Sequence, residues 1–245
     1  MTGLYPLEDL PISTLEIKDT RAISNPDEVS SFENELKREN FSETLFKISD
    51  FLGDYKSSIF KPENLRIQLK DGEMGSGACV VHDGVAEIVI ESPGEEKGVN
   101  FISRFLEDSN KAATPEQARN IYYALQTSTA LHESIHSLID SKPGSKLAQY
   151  VESHGFKNER NTDATLLDEG ITYALMAEFA PVVGPIGNIG PRIDSRDTEI
   201  AVSRKNLGSS LRSSIHEYLE SGKSIDEEFM KNAIDNLRKI VGNDV

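Results

Sequence analysis

The stretch 127-TSTALHESIHSLID-140 decides how this chain is read. His132 and His136 stand four residues apart, and Glu133 follows the first directly. Only three other histidines occur in 245 residues. On a helix, residues four apart share one face, about one turn from each other. Both imidazoles can therefore reach one cation. Glu133 is offset around the helix, so it can reach a water beside that cation without binding the cation itself. The pattern is H-E-x-x-H: two nitrogen ligands for zinc and a carboxylate base that takes a proton from an activated water.

The surrounding sequence supports a buried helix. Thr114 is a good N-cap, Pro115 occupies the first helical position, and Gln117 completes a capping box. Ala130, Leu131, Ile135, Leu138 and Ile139 surround the motif with small or apolar side chains, and Pro143 and Gly144 stop the helix. A catalytic zinc site takes three protein ligands and keeps a fourth position for water. A third histidine in the pattern H-x-x-G-x-x-H is absent, because position 139 is Ile and position 142 is Lys. The best third ligand is Glu169 in LLDEGITYAL, with Asp168, Asp163, His154 and Glu178 as rivals. Gly170 follows it inside a helical pattern, at a cost of about 1 kcal/mol relative to alanine. Close approach of this helix to the motif helix is the expected reason.

Upstream, the period changes. Phe41, Leu45, Ile48 and Leu52 form a helical stripe, with Asn40 or Ser42 as its cap. Residues 64–92 alternate instead: NLRIQLKD, then ACVVHDGVAEIVIES, two strands around the turn signal Asp83-Gly84. This predicts a small, largely antiparallel sheet, closed by SPGEEKG as a loop. Residues 1–28 read as an extended lead-in. Past the motif helix, HGFKNERNTD is a loop, and 181-PVVGPIGNIGP-191 is too rich in Pro and Gly for a regular element. Two helices close the chain, one over about 197–221, the other from a capping box at Ser224 and Glu227 to near Gly242. Residues 29–245 read as one domain, with a sheet-containing lobe to about 112 and a helical lobe from about 113.

Composition narrows the partners. The formal net charge is −15, which argues against nucleic acid and anionic membranes as partners. Cys79 is the single cysteine, so no internal disulfide exists, and its reading is a small buried hydrophobe. No apolar run is long enough to cross a bilayer and no signal peptide is evident, so a cytoplasmic protein is expected.

HESIH followed by a helix carrying DEG resembles the gluzincin branch of the zincin metallopeptidases, over roughly residues 60–180. The resemblance implies an α+β zincin-like fold: a small N-terminal mixed or antiparallel sheet packed on the motif helix, and a mostly helical C-terminal half. It implies zinc at His132, His136 and Glu169, Glu133 as base, and an edge strand that binds extended peptide, for which VAEIVIES is the expected counterpart. Many gluzincins carry an aspartate four residues after the glutamate ligand, where this chain has Tyr173. Asp140 or Asp168 is left to orient a histidine. Tyr173 is the nearest oxyanion stabiliser, and Arg192 a second. The expectation is zinc-dependent hydrolysis of peptide or protein substrates. One alternative is a zinc-binding regulatory or binding protein without turnover. A di-iron helical bundle is disfavoured, because it needs a second Glu-x-x-His and 213-SSIH-216 has serine instead.

Overall fold

The structure is a computed structural model that describes residues 40–52, 64–83, 85–108, 113–139, 146–154, 162–181 and 195–241, with several helical positions between 27 and 36. Residues 1–26 of the expected lead-in, the Pro- and Gly-rich stretch after Pro181, Asp140, Arg192 and the side chain of Asp163 lie outside what is described, and Asp27, within the expected lead-in, is helical. The elements are α1 (Phe41–Phe51), β1 (Leu65–Asp71), β2 (Gly77–His82), β3 (Val85–Ser92), α2 (Glu95–Asp108), α3 (Pro115–Ile139), α4 (Lys146–Ser153), α5 (Thr162–Phe179), α6 (Ser195–Glu220) and α7 (Glu227–Val241). The fold is α+β, mostly helical, with one small sheet among the described residues.

The sheet is mixed rather than largely antiparallel. Its order is β1-β3-β2, with β1 parallel to β3 and β2 antiparallel to it. The hairpin forms where Asp83-Gly84 marks it: His82 pairs with Val85, and Asp83 takes a left-handed φ of 49°. The chain leaves β1 and crosses the end of β3 before it starts β2, so β3 becomes the central strand. VAEIVIES is therefore not the edge. Both its sides are already hydrogen-bonded, and the edge strands are β1 and β2, the latter GACVVH. Period-two alternation identifies a strand with one buried face but says nothing about which neighbour it takes. Ile67, Leu69, Ala86, Ile88 and Ile90 form the buried face and join the helices in one hydrophobic core.

α3 lies at the centre. Every residue from Tyr122 to Leu131 is buried, so the helix is enclosed all round. Its start is the capping box expected: Thr114 N–H donates to Gln117 Oε1 at 2.8 Å, and Gln117 N–H to Thr114 Oγ1 at 3.2 Å. Ser137 Oγ–H donates to the Cys79 carbonyl at 3.1 Å, tying the same helix to the edge strand.

Several boundaries differ from the sequence reading. EEKG is not loop, because α2 begins at Glu95. Helix α4, KLAQYVES, has too short an apolar stripe to stand out from its neighbours. The cap of α7 is Asp226 rather than Ser224, with the Phe229 N–H donating to Asp226 Oδ1 at 2.8 Å. Asn40 precedes α1 in a left-handed conformation and makes no side-chain cap bond.

Gly170 also has a different reason from the one expected. A Cβ there would lie 2.6 Å from Leu207 Cγ and Cδ2, so the glycine admits α6, not the motif helix. Gly208 answers from the other side: its Cβ would meet Tyr173 Cβ at 2.9 Å and the Gly170 carbonyl at 3.3 Å. Those atoms are backbone or sit next to it and cannot swing aside. Gly208→Ala gains about 1 kcal/mol of helix propensity but overpacks the crossing by about 1–3 kcal/mol. The crossing decides the sign. The expected result is a melting temperature lower by a few degrees, read by calorimetry; a rise would mean that α5 and α6 are not pressed together.

Candidate metal centre

Two helices build the site. α3 supplies His132, Glu133 and His136, and α5 supplies Asp168, Glu169, Thr172 and Tyr173. The imidazoles of His132 and His136 stand nearly perpendicular, at 84°, with their Nε2 atoms 2.8 Å apart. Glu169 closes the group, with Oε2 3.4 Å from His132 Nε2 and Oε1 3.8 Å from His136 Nε2. His132, His136 and Glu169 form the group of His, Cys, Asp or Glu side chains, among the described residues, that could hold a metal ion. A tetrahedral ion with bonds of about 2.0–2.1 Å needs ligand atoms about 3.3 Å apart. The ring nitrogens stand inside that value and the carboxylate just beyond it, with a different oxygen nearest each ring.

Asp168 acts from behind. Its Oδ2 lies 2.6 Å from His136 Nδ1, and Thr172 Oγ1 stands 3.4 Å from the same nitrogen. An N–H on Nδ1 that donates to the carboxylate leaves the Nε2 lone pair for a metal. Adjacent positions on α5 thus serve opposite sides of one ring: Asp168 holds the far nitrogen and Glu169 faces the near one. Asp168 is 2 % exposed, and its Oδ1 is buried with no hydrogen-bond partner among the described residues. A buried carboxylate so placed requires positive charge nearby.

Without metal, a proton fills that need. Burial opposes protonation of His136, but the hydrogen bond and charge of Asp168, then the charges of Glu169 and Glu133, outweigh it and push its pKa up to about 9. The protonated ring donates from both nitrogens, one N–H to Asp168 and the other towards His132. A cation at the centre takes the place of the second proton. The sign of the linkage follows. A raised folded-state pKa gives stability that is fully present below the ordinary value of about 6.5 and is lost as pH rises through about 9. Chelator-treated protein is therefore expected to melt at progressively lower temperature between pH 6.5 and 9, and Asp168→Asn to flatten that slope. A metal-free melting temperature that is flat or rising across this window would contradict the arrangement.

The remaining residues separate cleanly. The Tyr173 ring packs 5.1 Å from that of His132, which puts it at the site. Glu133 faces the start of β2, where a Cβ on Gly77 would lie 3.1 Å from its Cγ. His154 is elsewhere: its ring stacks on Tyr150 at 4.2 Å, and its Nδ1 lies 2.8 Å from the Tyr150 carbonyl. Glu178 pairs with His216 at 2.7 Å and with Arg212 at 3.4 Å. Of the rival ligands whose side chains are described, only Asp168 belongs to the site, and there it supports a histidine. Thr172 and Gly77 carried no sequence signal, since a threonine within a helix and a glycine before a strand have many ordinary reasons. Cys79 is partly buried on β2 and packs against the core. No helix among the described residues is long and apolar enough to cross a membrane.

Comparison with known protein families, curated proteins and solved structures finds no match for this chain.

Proposed function

We propose that the chain is a zinc-dependent metallopeptidase of the gluzincin kind. The observation that carries the reading is the convergence of His132, His136 and Glu169 on one point, with Asp168 held against the outer nitrogen of His136. Two imidazoles and one carboxylate suit zinc in a catalytic, three-ligand setting. Zinc held there supplies a Lewis acid that polarises a carbonyl and makes a neighbouring water acidic near neutral pH.

The chain's own groups supply the rest. Glu133 accepts the water's proton and later returns it to the leaving amine. Tyr173 stands beside His132, where its phenol can donate a hydrogen bond to a developing oxyanion. An extended peptide adds to β2, the edge strand tied to α3. Substrate binding thus belongs to GACVVH, not to VAEIVIES.

The direct test is cleavage of a mixed peptide library, abolished by a strong chelator and restored by stoichiometric zinc. The ligand set is tested in parallel. Glu169→Ala is expected to weaken zinc binding far more than Glu178→Ala or His154→Ala, with Asp168→Ala between, at about 10–100-fold. If His154→Ala proves the worst of the set, the assignment of Glu169 is wrong.

A further inference from the structure

Glu133 does its work only if its carboxylate is held beside the ligands. One restraint on its stem comes from the sheet. Gly77, the first residue of β2, lies so close to α3 that an added Cβ would meet three atoms: Thr129 Cγ2 at 3.0 Å, the Val89 carbonyl oxygen at 3.0 Å and Glu133 Cγ at 3.1 Å. Glycine therefore lets this strand sit against this turn of the helix without crowding its neighbours. The backbone of Gly77 is the wall along which the Glu133 side chain runs.

We propose that Gly77 is a positioning residue for the general base. The inference rests on the metallopeptidase reading for its consequence, but its geometry stands alone. The three neighbours differ in how readily they move. The Val89 carbonyl belongs to the central strand, fixed between two partners. Thr129 is β-branched, and its hydroxyl donates to the Leu125 carbonyl at 3.0 Å, which locks its methyl in place. Glu133 alone has a flexible stem. A methyl at position 77 therefore pushes Glu133, by a few tenths of an ångström at Cγ and further at the carboxylate. None of the three atoms nearest the added Cβ belongs to His132, His136 or Glu169, so the metal should stay.

A displacement of this order in a catalytic group costs about tenfold in rate, short of the hundredfold that attends a full ångström. The test uses the full chain loaded with cobalt(II) in place of zinc. The absorption bands of cobalt report the hydrogen bonding around the metal, whether or not a substrate is known. Four proteins are compared at one pH: wild type, Glu133→Gln, Gly77→Ala and Gly72→Ala. Gly72 is the control, because the three atoms nearest its added Cβ all belong to the Glu91 side chain, from 2.8 Å, and none to Glu133. The expected result is full cobalt uptake by all four, with the Gly77→Ala spectrum moved towards that of Glu133→Gln and Gly72→Ala unchanged. Peptide cleavage should fall about tenfold in Gly77→Ala, with no further fall when the change is added to Glu133→Gln, as expected for residues acting through one group. Thr129→Ser opens the space taken by Cγ2 while keeping the hydroxyl, so Gly77→Ala/Thr129→Ser should return the spectrum towards wild type. A wild-type spectrum in folded Gly77→Ala overturns the proposal. Spectral shifts as expected in a protein that cleaves no peptide uphold the positioning role and reject the peptidase reading.

Discussion

His136→Ala protein is expected to emerge from purification with metal near background, where wild type carries about one ion per chain. Its imidazole is one of the three groups that converge, and two remaining ligands do not hold a tetrahedral ion against dilution and chelator. The same substitution has a second effect. It strips the buried Asp168 carboxylate of the ring to which it is bonded at 2.6 Å, leaving an uncompensated charge in the core. Breaking a buried pair in this way costs about 3–5 kcal/mol. His132→Ala separates the two effects: it removes a ligand but leaves the pair of His136 and Asp168 intact. Both variants should lose metal, and only His136→Ala should lose most of the stability. Elemental analysis with thermal melts reads both. Full occupancy in either variant removes that histidine from the site.

The motif helix and its two histidines were legible in the sequence because their information is local. Four-residue spacing, a capping box and apolar neighbours all lie within one element, and the helix formed as those signals require. Glu169 was legible for a related reason, since a glutamate among Leu166, Leu167 and Ile171 stands out on an otherwise apolar helix. The role of Asp168 was legible only as one of two candidates, with Asp140, to orient a histidine. Whether the residue before a ligand points at the metal, at a histidine or at solvent depends on how two helices cross, and no spacing within either encodes that angle. The strand order was hidden in the same way. β1 and β2 each alternate as β3 does, and only the five residues from Gly72 to Ser76, crossing the end of β3, decide that VAEIVIES is central. Gly170 shows the limit from another side. Its presence announced a close approach, correctly, but the partner was Leu207 on α6 rather than the motif helix.

Glu133→Gln is expected to keep its metal and its fold while losing turnover by at least about a hundredfold, the low end for a removed general base. Glutamine preserves the stem that packs against Gly77, with the same Cγ beside the start of β2, so the side chain keeps its place. It can still hydrogen-bond a water. It cannot take a proton from that water, and so it has none to give the leaving amine. Glu133 lies about 100° around the helix from His132, off the line that the two histidines define, so its charge is not needed to hold the ion. Zinc content and melting temperature should therefore stay close to wild type while cleavage of a mixed peptide library collapses. Equal cleavage by both proteins would mean that the activity resides elsewhere. If neither cleaves and both hold zinc tightly, the ligands serve a binding or regulatory protein, and Glu133 is there for the charge it lends to His136 rather than for chemistry.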